Sequence, residues 1–530
     1  MDETQPLLQP PTAQPRQPWY RLSISQSPAK AYYVIPLCAA LGMLVGMVQA
    51  PLVQFVVSLV CSREAKTLQD TFHIPSTAVF DDIFALSRPR EECDADATVQ
   101  AISSRVLLII QLCSALLCNY FPLCTTGFYS ALSDRHGRRF VFMINALFFM
   151  LEAALNIFIA RNAASLPIAM LFLSAIIQGS GGAASTVLMC THAYVADTTS
   201  PQKRNILFGR LIAALFSGMS VGPAVGAFIM EKFQTIQVIF TVNFIVFTTW
   251  LLVVIFILPE SNKNVEQRQV LEPHASTSTD TVAQTDSSPK VGVLAAFSIF
   301  FVSRGPNTSR FTLPALVIAH WLMMMQAMGI QVVIVLSATY RFHWTPGNVG
   351  AFLSTANAAR LLGLLVLLPA LSRLNKRLVK RRGERRKGQD MNTDQHISFD
   401  VWLVQFGLGL DCIALLLQGL AKSGWTMYFA LIFQSSAVVY AAAIKSLLLH
   451  LVPPSQAGTV LGAAGMVEAS AQLVGPIIMG TAYSAFVKTI PSMPFYIAAC
   501  ALLIGFGLVL TVRPEKQAVR DVAHDTHVVV

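Results

Sequence analysis

The chain has 530 residues, of which 54% are hydrophobic and only 12% charged. A soluble domain carries about 25% charged residues, and the apolar residues here fall in long runs, so a soluble enzyme, a secreted disulfide scaffold and a disordered chain are excluded. The formal net charge of +10 reads as loop charge on one side of a membrane, not as a nucleic-acid surface.

Residues 1–30 are a polar tail, with no cleavable signal peptide. A bilayer core about 30 Å thick needs about 20 apolar residues per helix. Twelve stretches meet that test. The first six are Ala31–Val60, Val106–Leu132, Phe140–Ile159, Leu166–Thr191, Ile206–Met230 and Ile236–Leu258, which make one bundle over 31–258. A Ser/Thr-rich linker, 259–311, is predicted to be disordered. The second six are Leu313–Thr339, Val349–Leu371, Phe399–Leu420, Trp425–Leu449, Gly458–Phe486 and Phe495–Val512. They make a second bundle over 312–512 with a basic loop at 373–398, followed by a tail, 513–530. Only helices fit these stretches, because lipid cannot satisfy an open backbone. The expected fold class is an all-α membrane protein: twelve transmembrane helices in two pseudo-symmetric six-helix bundles.

Lys and Arg gather in the loops of one side: Arg16, Arg21, Lys30, Arg135, Arg138, Arg139, Lys203, Arg204 and the run Arg373 to Lys387. The opposite short loops hold Arg161, Lys232, Arg341, Lys422 and Lys488. The positive-inside rule therefore puts both termini in the cytoplasm. Cys61 and Cys93 flank the first loop on the other side, where a disulfide can persist; a bond and two free thiols both stay open. The other seven cysteines lie in apolar runs and act as small hydrophobes. There is no Cys/His cluster of metal type, no P-loop and no nucleophile constellation. No metal, no cofactor and no enzyme activity is expected.

The two bundles carry an internal repeat. Pro201–Pro223 aligns without a gap on Pro454–Pro476, matching Gly209 to Gly462, Ser217 to Ser470 and Gly222-Pro223 to Gly475-Pro476. Between the second and third spans the chain reads Ser130-Ala131-Leu132-Ser133-Asp134-Arg135-His136-Gly137-Arg138-Arg139. This run resembles the signature of the major facilitator superfamily, with Ser130 where the family has Gly. The resemblance implies a cytoplasmic gate of Asp134, Arg135, Gly137, Arg138 and Arg139. In it Asp134 faces the positive N-terminus of span eleven, and Asp197 is a second loop acid partnered by Arg138. Gly218, Gly222, Pro223 and Gly226 resemble the antiporter motif of drug/proton exchangers, where small residues four apart let helices approach closely. The stretches "AYVADTTSPQKR", "LPES" and "RFHWTPGNVG" resemble a narrower group of proton-coupled folate transporters, tetracycline-efflux-like proteins and fungal facilitators.

Ionisable residues at membrane depth are functional candidates. Arg360 in span eight and Glu468 in span eleven are expected near a central cavity. Arg360 would hold an anionic group or pair with a carboxylate, and Glu468 would carry a coupled proton; a structural Arg360–Glu468 pair is the alternative. Glu152 and Asp411 fall on spans three and nine, peripheral in the family fold, and are expected to be packed acids. His320, Gln178 and Gln326 complete the candidate solute or proton site. The Met323–Met328 stretch is expected to pack.

These features predict a secondary transporter that moves a small organic solute by alternating access, with protons as the coupling partner. A solute receptor that keeps the transporter fold is the alternative. Glu3, Leu7 and Leu8 in the N-terminal tail resemble an acidic dileucine signal. A sorting adaptor would read it and deliver the protein to the vacuolar or lysosomal membrane instead of the plasma membrane.

Overall fold

The computed structural model describes residues 30–72, 90–116, 125–163, 165–199, 201–262, 312–367, 369–371, 373, 374, 377, 393–450 and 457–512. Among these residues the regular structure is helical, without strands. Eleven helices are long and apolar enough to cross a bilayer. They are spans one (Ala31–Arg63), two (Ala97–Ala115), three (Arg138–Arg161), four (Ala169–Thr198), five (Leu207–Phe233), six (Ile236–Phe256), seven (Thr312–Phe342), eight (Pro346–Leu371), nine (Ser398–Leu420), eleven (Ala463–Phe486) and twelve (Met493–Leu510). The helix Gly424–His450 takes the tenth position, so the expected order of twelve is present. Span two is continued by the helix Thr125–His136, whose end bears the Asp134–Arg139 loop. That side of the molecule is the motif end, and the opposite side is the far end. Trp402 and Trp425, at the starts of spans nine and ten, are 46% and 83% exposed, as suits aromatic side chains at a lipid–water boundary. The dileucine tail, nearly all of the linker and most of the basic loop lie outside the described residues.

Spans one, two and four differ from the sequence reading, span two starting at Ala97 and not at Val106. The helix of span one runs over Val34–Phe72, 39 residues. At about 1.5 Å per residue it is longer than a bilayer core is thick, so Cys61 sits in a helix and not at its end. Span four is broken into Ala169–Ser180 and Ala183–Thr198. Gly182 at the break has φ 79°, and a Cβ there would overlap Thr186. The carbonyls freed by the break are taken up from outside the helix. Asn145 Nδ2 donates to Gly181 O at 2.8 Å and Ala183 O at 3.0 Å, and the Tyr129 hydroxyl donates to Ser180 O at 2.8 Å. Hydropathy reads through such a break because both flanks are apolar.

The internal repeat appears in the packing. Gly218, Gly222 and Gly226 of span five lie so close to span one that a Cβ would overlap the carbonyls of Ala39, Met43 and Met47. In the second half, Gly475 of span eleven rests in the same way on the Met325 carbonyl of span seven, and Gly329 on the Gly475 carbonyl. Lipid is as apolar as these side chains, so close van der Waals contact between backbones holds such pairs together. The antiporter-like stretch thus faces span one within its own half. Its other edge reaches across to span eight, where Pro223 and Ala227 lie against Gly350.

Hydrogen bonds between the halves run from mid-span toward the far end. Ser104 Oγ donates to Gly480 O at 3.0 Å, Ser220 Oγ to Ser354 O at 3.4 Å, and Asn357 Nδ2 to Met219 O at 3.1 Å. At the far end Cys61 and Cys93 form a disulfide, with Cα atoms 5.8 Å apart. It ties the short helix Arg90–Ala95, which also packs on spans two and seven, to span one. Arg341 caps the end of span nine, donating to Gln418 O at 3.2 Å, to Gly419 O at 3.3 Å and to Ala421 O.

Gly475→Val places methyl groups where the Met325 backbone stands. It is expected to cost about 1–3 kcal/mol, the usual penalty of overpacking, and to lower the Tm of the purified protein by several degrees. Gly465, with open space around its Cβ position, supplies the control: Gly465→Val should leave the Tm unchanged.

Candidate functional site

The motif end is built around one turn and one carboxylate. Gly137 has φ 98°, and a Cβ on it would overlap the Glu260 carboxylate. Glu260 follows span six, in the Leu258–Ser261 stretch. Its oxygens accept the backbone N–H groups of Arg138 (2.8 Å), Arg139 (3.0 Å), Ser261 (3.0 Å) and Asn262 (3.0 Å). The first two are free donors at the start of span three, where the helix dipole also favours an anion. Arg139, 4% exposed, returns the favour to span six. Its Nε donates to Val254 O at 2.9 Å and its Nη2 to Ile255 O. Each helix end is therefore capped by a charged side chain from the other.

Arg138 stands beside this clasp. Its Nη1 lies 2.7 Å from Asp134 Oδ1, and its Nε 3.1 Å from Asp197 Oδ2. It also donates to Ser133 Oγ at 2.7 Å. Arg135 is exposed. Asp134, 61% exposed, was expected to meet the start of span eleven. Among the described residues its carboxylate meets Arg138 instead, because the Gly137 turn folds the arginine back over it. Sequence reasoning missed Glu260 as a site residue; the "LPES" stretch held the signal, read there only as a likeness.

At mid-membrane the polar residues join in pairs that differ from expectation. Glu468 does not pair with Arg360. His320 Nε2 lies 2.9 Å from Glu468 Oε1, linking spans seven and eleven, and Trp321 Nε1 donates to Ser470 Oγ at 3.0 Å one step along. Arg360 instead interacts electrostatically with Asp411 and Tyr440. It lies where the helix Pro346–Leu362 passes into a π-helical turn, Gly363–Leu367, a distortion common at functional sites. The two acids assigned to peripheral packing are bound to candidate site residues. Asp411 Oδ2 accepts from Gln326 Nε2 (3.0 Å) and from the Tyr440 hydroxyl (2.8 Å). Glu152 accepts from Gln178 Nε2 on both oxygens (3.0 Å each), and Gln178 Oε1 accepts from Ser114 Oγ at 3.1 Å. Met323 and Met325 are buried.

Comparison with known proteins gives a consistent picture. Residues 100–386, more than half of the chain, match the family model described as Major Facilitator Superfamily. An MFS-type transporter of Aspergillus versicolor is 22% identical over 524 residues, covering 96% of this chain and 92% of the relative. An uncharacterised membrane protein of Schizosaccharomyces pombe is 25% identical over 450 residues, 74% of this chain and 68% of that protein. Among solved structures, the human organic anion transporter MFSD10 superposes with a TM-score of 0.52 at 18% identity, covering 90% of this chain and 99% of that one.

Glu260→Ala removes an acceptor for four backbone donors, two of them at a helix start. It is expected to cost about 1–3 kcal/mol per donor left buried and unpaired. Asp134→Asn breaks one largely exposed ion pair and should cost about 0–1 kcal/mol. Thermal unfolding of the two purified variants checks the order; equal losses would mean that Glu260 is not the clasp.

Proposed function

The chain belongs to the Major Facilitator Superfamily and is a membrane transporter, and from that premise we propose that it is a proton-coupled secondary transporter of a small organic anion. The observation that carries this reading is the His320–Glu468 pair. The repeat gives it a built-in control. Glu468 aligns with Leu215 in span five. The matching contacts of Gly222 on the Met43 carbonyl and of Gly475 on the Met325 carbonyl make His320 correspond to Cys38 in span one. The first half thus packs its equivalent helices with a buried cysteine and a leucine at these positions. A titratable pair is not needed to hold this fold, and a charged group at membrane depth is costly unless it serves a function.

The roles follow from chemistry. Glu468, 21% exposed beside a histidine 1% exposed, takes and releases a proton, with His320 orienting it. Arg360 supplies the positive charge that an anionic solute group would meet, in keeping with the substrate class named for the human structural neighbour. The contacts between the halves from mid-span to the far end support a conformer open at the motif end, which the charge rule assigns to the cytoplasm. Rocking about those contacts would expose the site to the other side. The Arg138–Asp134–Asp197 cluster and the Glu260 clasp would control the motif end.

Two measurements test this. Organic anions that raise the Tm of the purified protein are offered to proteoliposomes under an imposed proton gradient. Uphill uptake is expected in the parent. Glu468→Gln, a mimic of the protonated acid, should abolish uphill uptake while retaining anion exchange; an identical pH dependence in parent and variant would remove Glu468 from coupling. For location, the tail signal at Glu3, Leu7 and Leu8 supports a vacuolar or lysosomal membrane. A tagged protein should appear there and move to the cell surface on joint Leu7→Ala and Leu8→Ala substitution. A parent protein resident at the surface would refute the signal.

A further inference from the structure

The Asp411–Gln326 pair has two acceptors without a donor. Asp411 is 4% exposed and Gln326 2% exposed. Gln326 Nε2 and the Tyr440 hydroxyl both donate to Asp411 Oδ2. Asp411 Oδ1 and Gln326 Oε1, the remaining oxygens of the same two side chains, are buried and accept nothing among the described residues. A buried acceptor oxygen without a donor is unfavourable for its lost solvation, and this pair of side chains holds two. A single proton removes both defects.

We propose that Asp411 and Gln326 form a proton-binding site in the second half of the molecule, in which a protonated Asp411 Oδ1 donates to Gln326 Oε1 while Gln326 Nε2 donates to Asp411 Oδ2. The result is a closed acid–amide ring with every donor and acceptor used. A hydronium ion from the surrounding solvent supplies the proton: one O–H bond of the hydronium breaks and a neutral water is left. One O–H bond forms on Oδ1, and the carboxylate becomes a neutral acid. Tyr440 continues to donate to Oδ2.

Three surrounding features fit. Asp411 has buried apolar neighbours on its own helix, Leu408 and Leu415, which disfavour a bare charge. The titratable and charged groups that face it are Arg360 from span eight, Tyr440 from span ten and Cys412 beside it on span nine. Arg360, the one cation of that set, makes no hydrogen bond or ion pair with it among the described residues. A neutral acid exerts no pull on the guanidinium, in keeping with that absence. The first half supplies a contrast at matching depth. There Gln178 Nε2 serves both Glu152 oxygens and Gln178 Oε1 already accepts from Ser114, so that amide oxygen has a donor where Gln326 Oε1 has none among the described residues.

The site has a consequence for Arg360. With the proton on, its charge is free for an anion; with the proton off, Asp411 competes for it. The site itself stands without the transport reading, since it concerns the resting protein.

Infrared difference spectroscopy on the purified full chain in lipid, at neutral pH, tests it. The parent-minus-D411N spectrum should contain the carbonyl stretch of a protonated carboxylic acid, and E152Q should retain that band. Gln326→Leu should shift the band to higher wavenumber or abolish it, since its carbonyl loses one of two donors; this arm stands by itself if D411N fails to fold. A parent-minus-D411N spectrum showing only carboxylate bands would overturn the proposal, as would a band unmoved in Gln326→Leu. Failure of proton-driven anion uptake with the band present would sink the transport reading and leave this site intact.

Discussion

Backbone-to-backbone contact through glycine is the constraint on which the molecule depends. Inside a bilayer no helix gains by hiding apolar surface from its apolar surroundings, so helices adhere by fitting closely. Span five achieves this against span one by offering Gly218, Gly222 and Gly226 to carbonyls on three successive turns, and span eleven repeats the arrangement on span seven through Gly475 and Gly329. Each half then behaves as a firm unit, and the polar residues that must differ between the halves are set on otherwise equivalent frames.

Those frames make the departures from symmetry informative. Where the first half places Cys38 and Leu215, the second places His320 and Glu468. Where the first half gives the oxygen of Gln178 a donor in Ser114, the second leaves acceptors of Gln326 and Asp411 without one among the described residues. The second half therefore holds the His320–Glu468 pair and sets Arg360 in the field of Asp411 and Tyr440. The first half concentrates the structural devices: the broken span four, the Glu260 clasp and the arginine cluster.

The fold was legible in the sequence because its signals are local. Length and hydropathy mark a span, charge marks a loop, and a gap-free match of Gly-Pro pairs marks the repeat. The site was legible only as a set of residue types. Arg360, Glu468, His320, Gln178 and Gln326 were all singled out, but their partners were not, because pairing depends on how helices are rotated against one another, and periodicity does not record this. Arg360 turns toward spans nine and ten and not toward span eleven. Tyr440 was invisible as a site residue, being one aromatic among many in apolar runs. Glu260 and Asn145 were missed because both act on backbone groups, and the sequence shows no partner for a backbone group.

The disulfide between Cys61 and Cys93 has a consequence for the integrity of the chain. The two cysteines are 32 residues apart, and the stretch between them begins in the outer part of span one. A peptide bond broken anywhere inside that stretch leaves the first helix fastened to everything that follows it. A protease working on the far side of the membrane could therefore cut the polypeptide without dividing the molecule, and the cut would stay hidden until a reductant reached the bond.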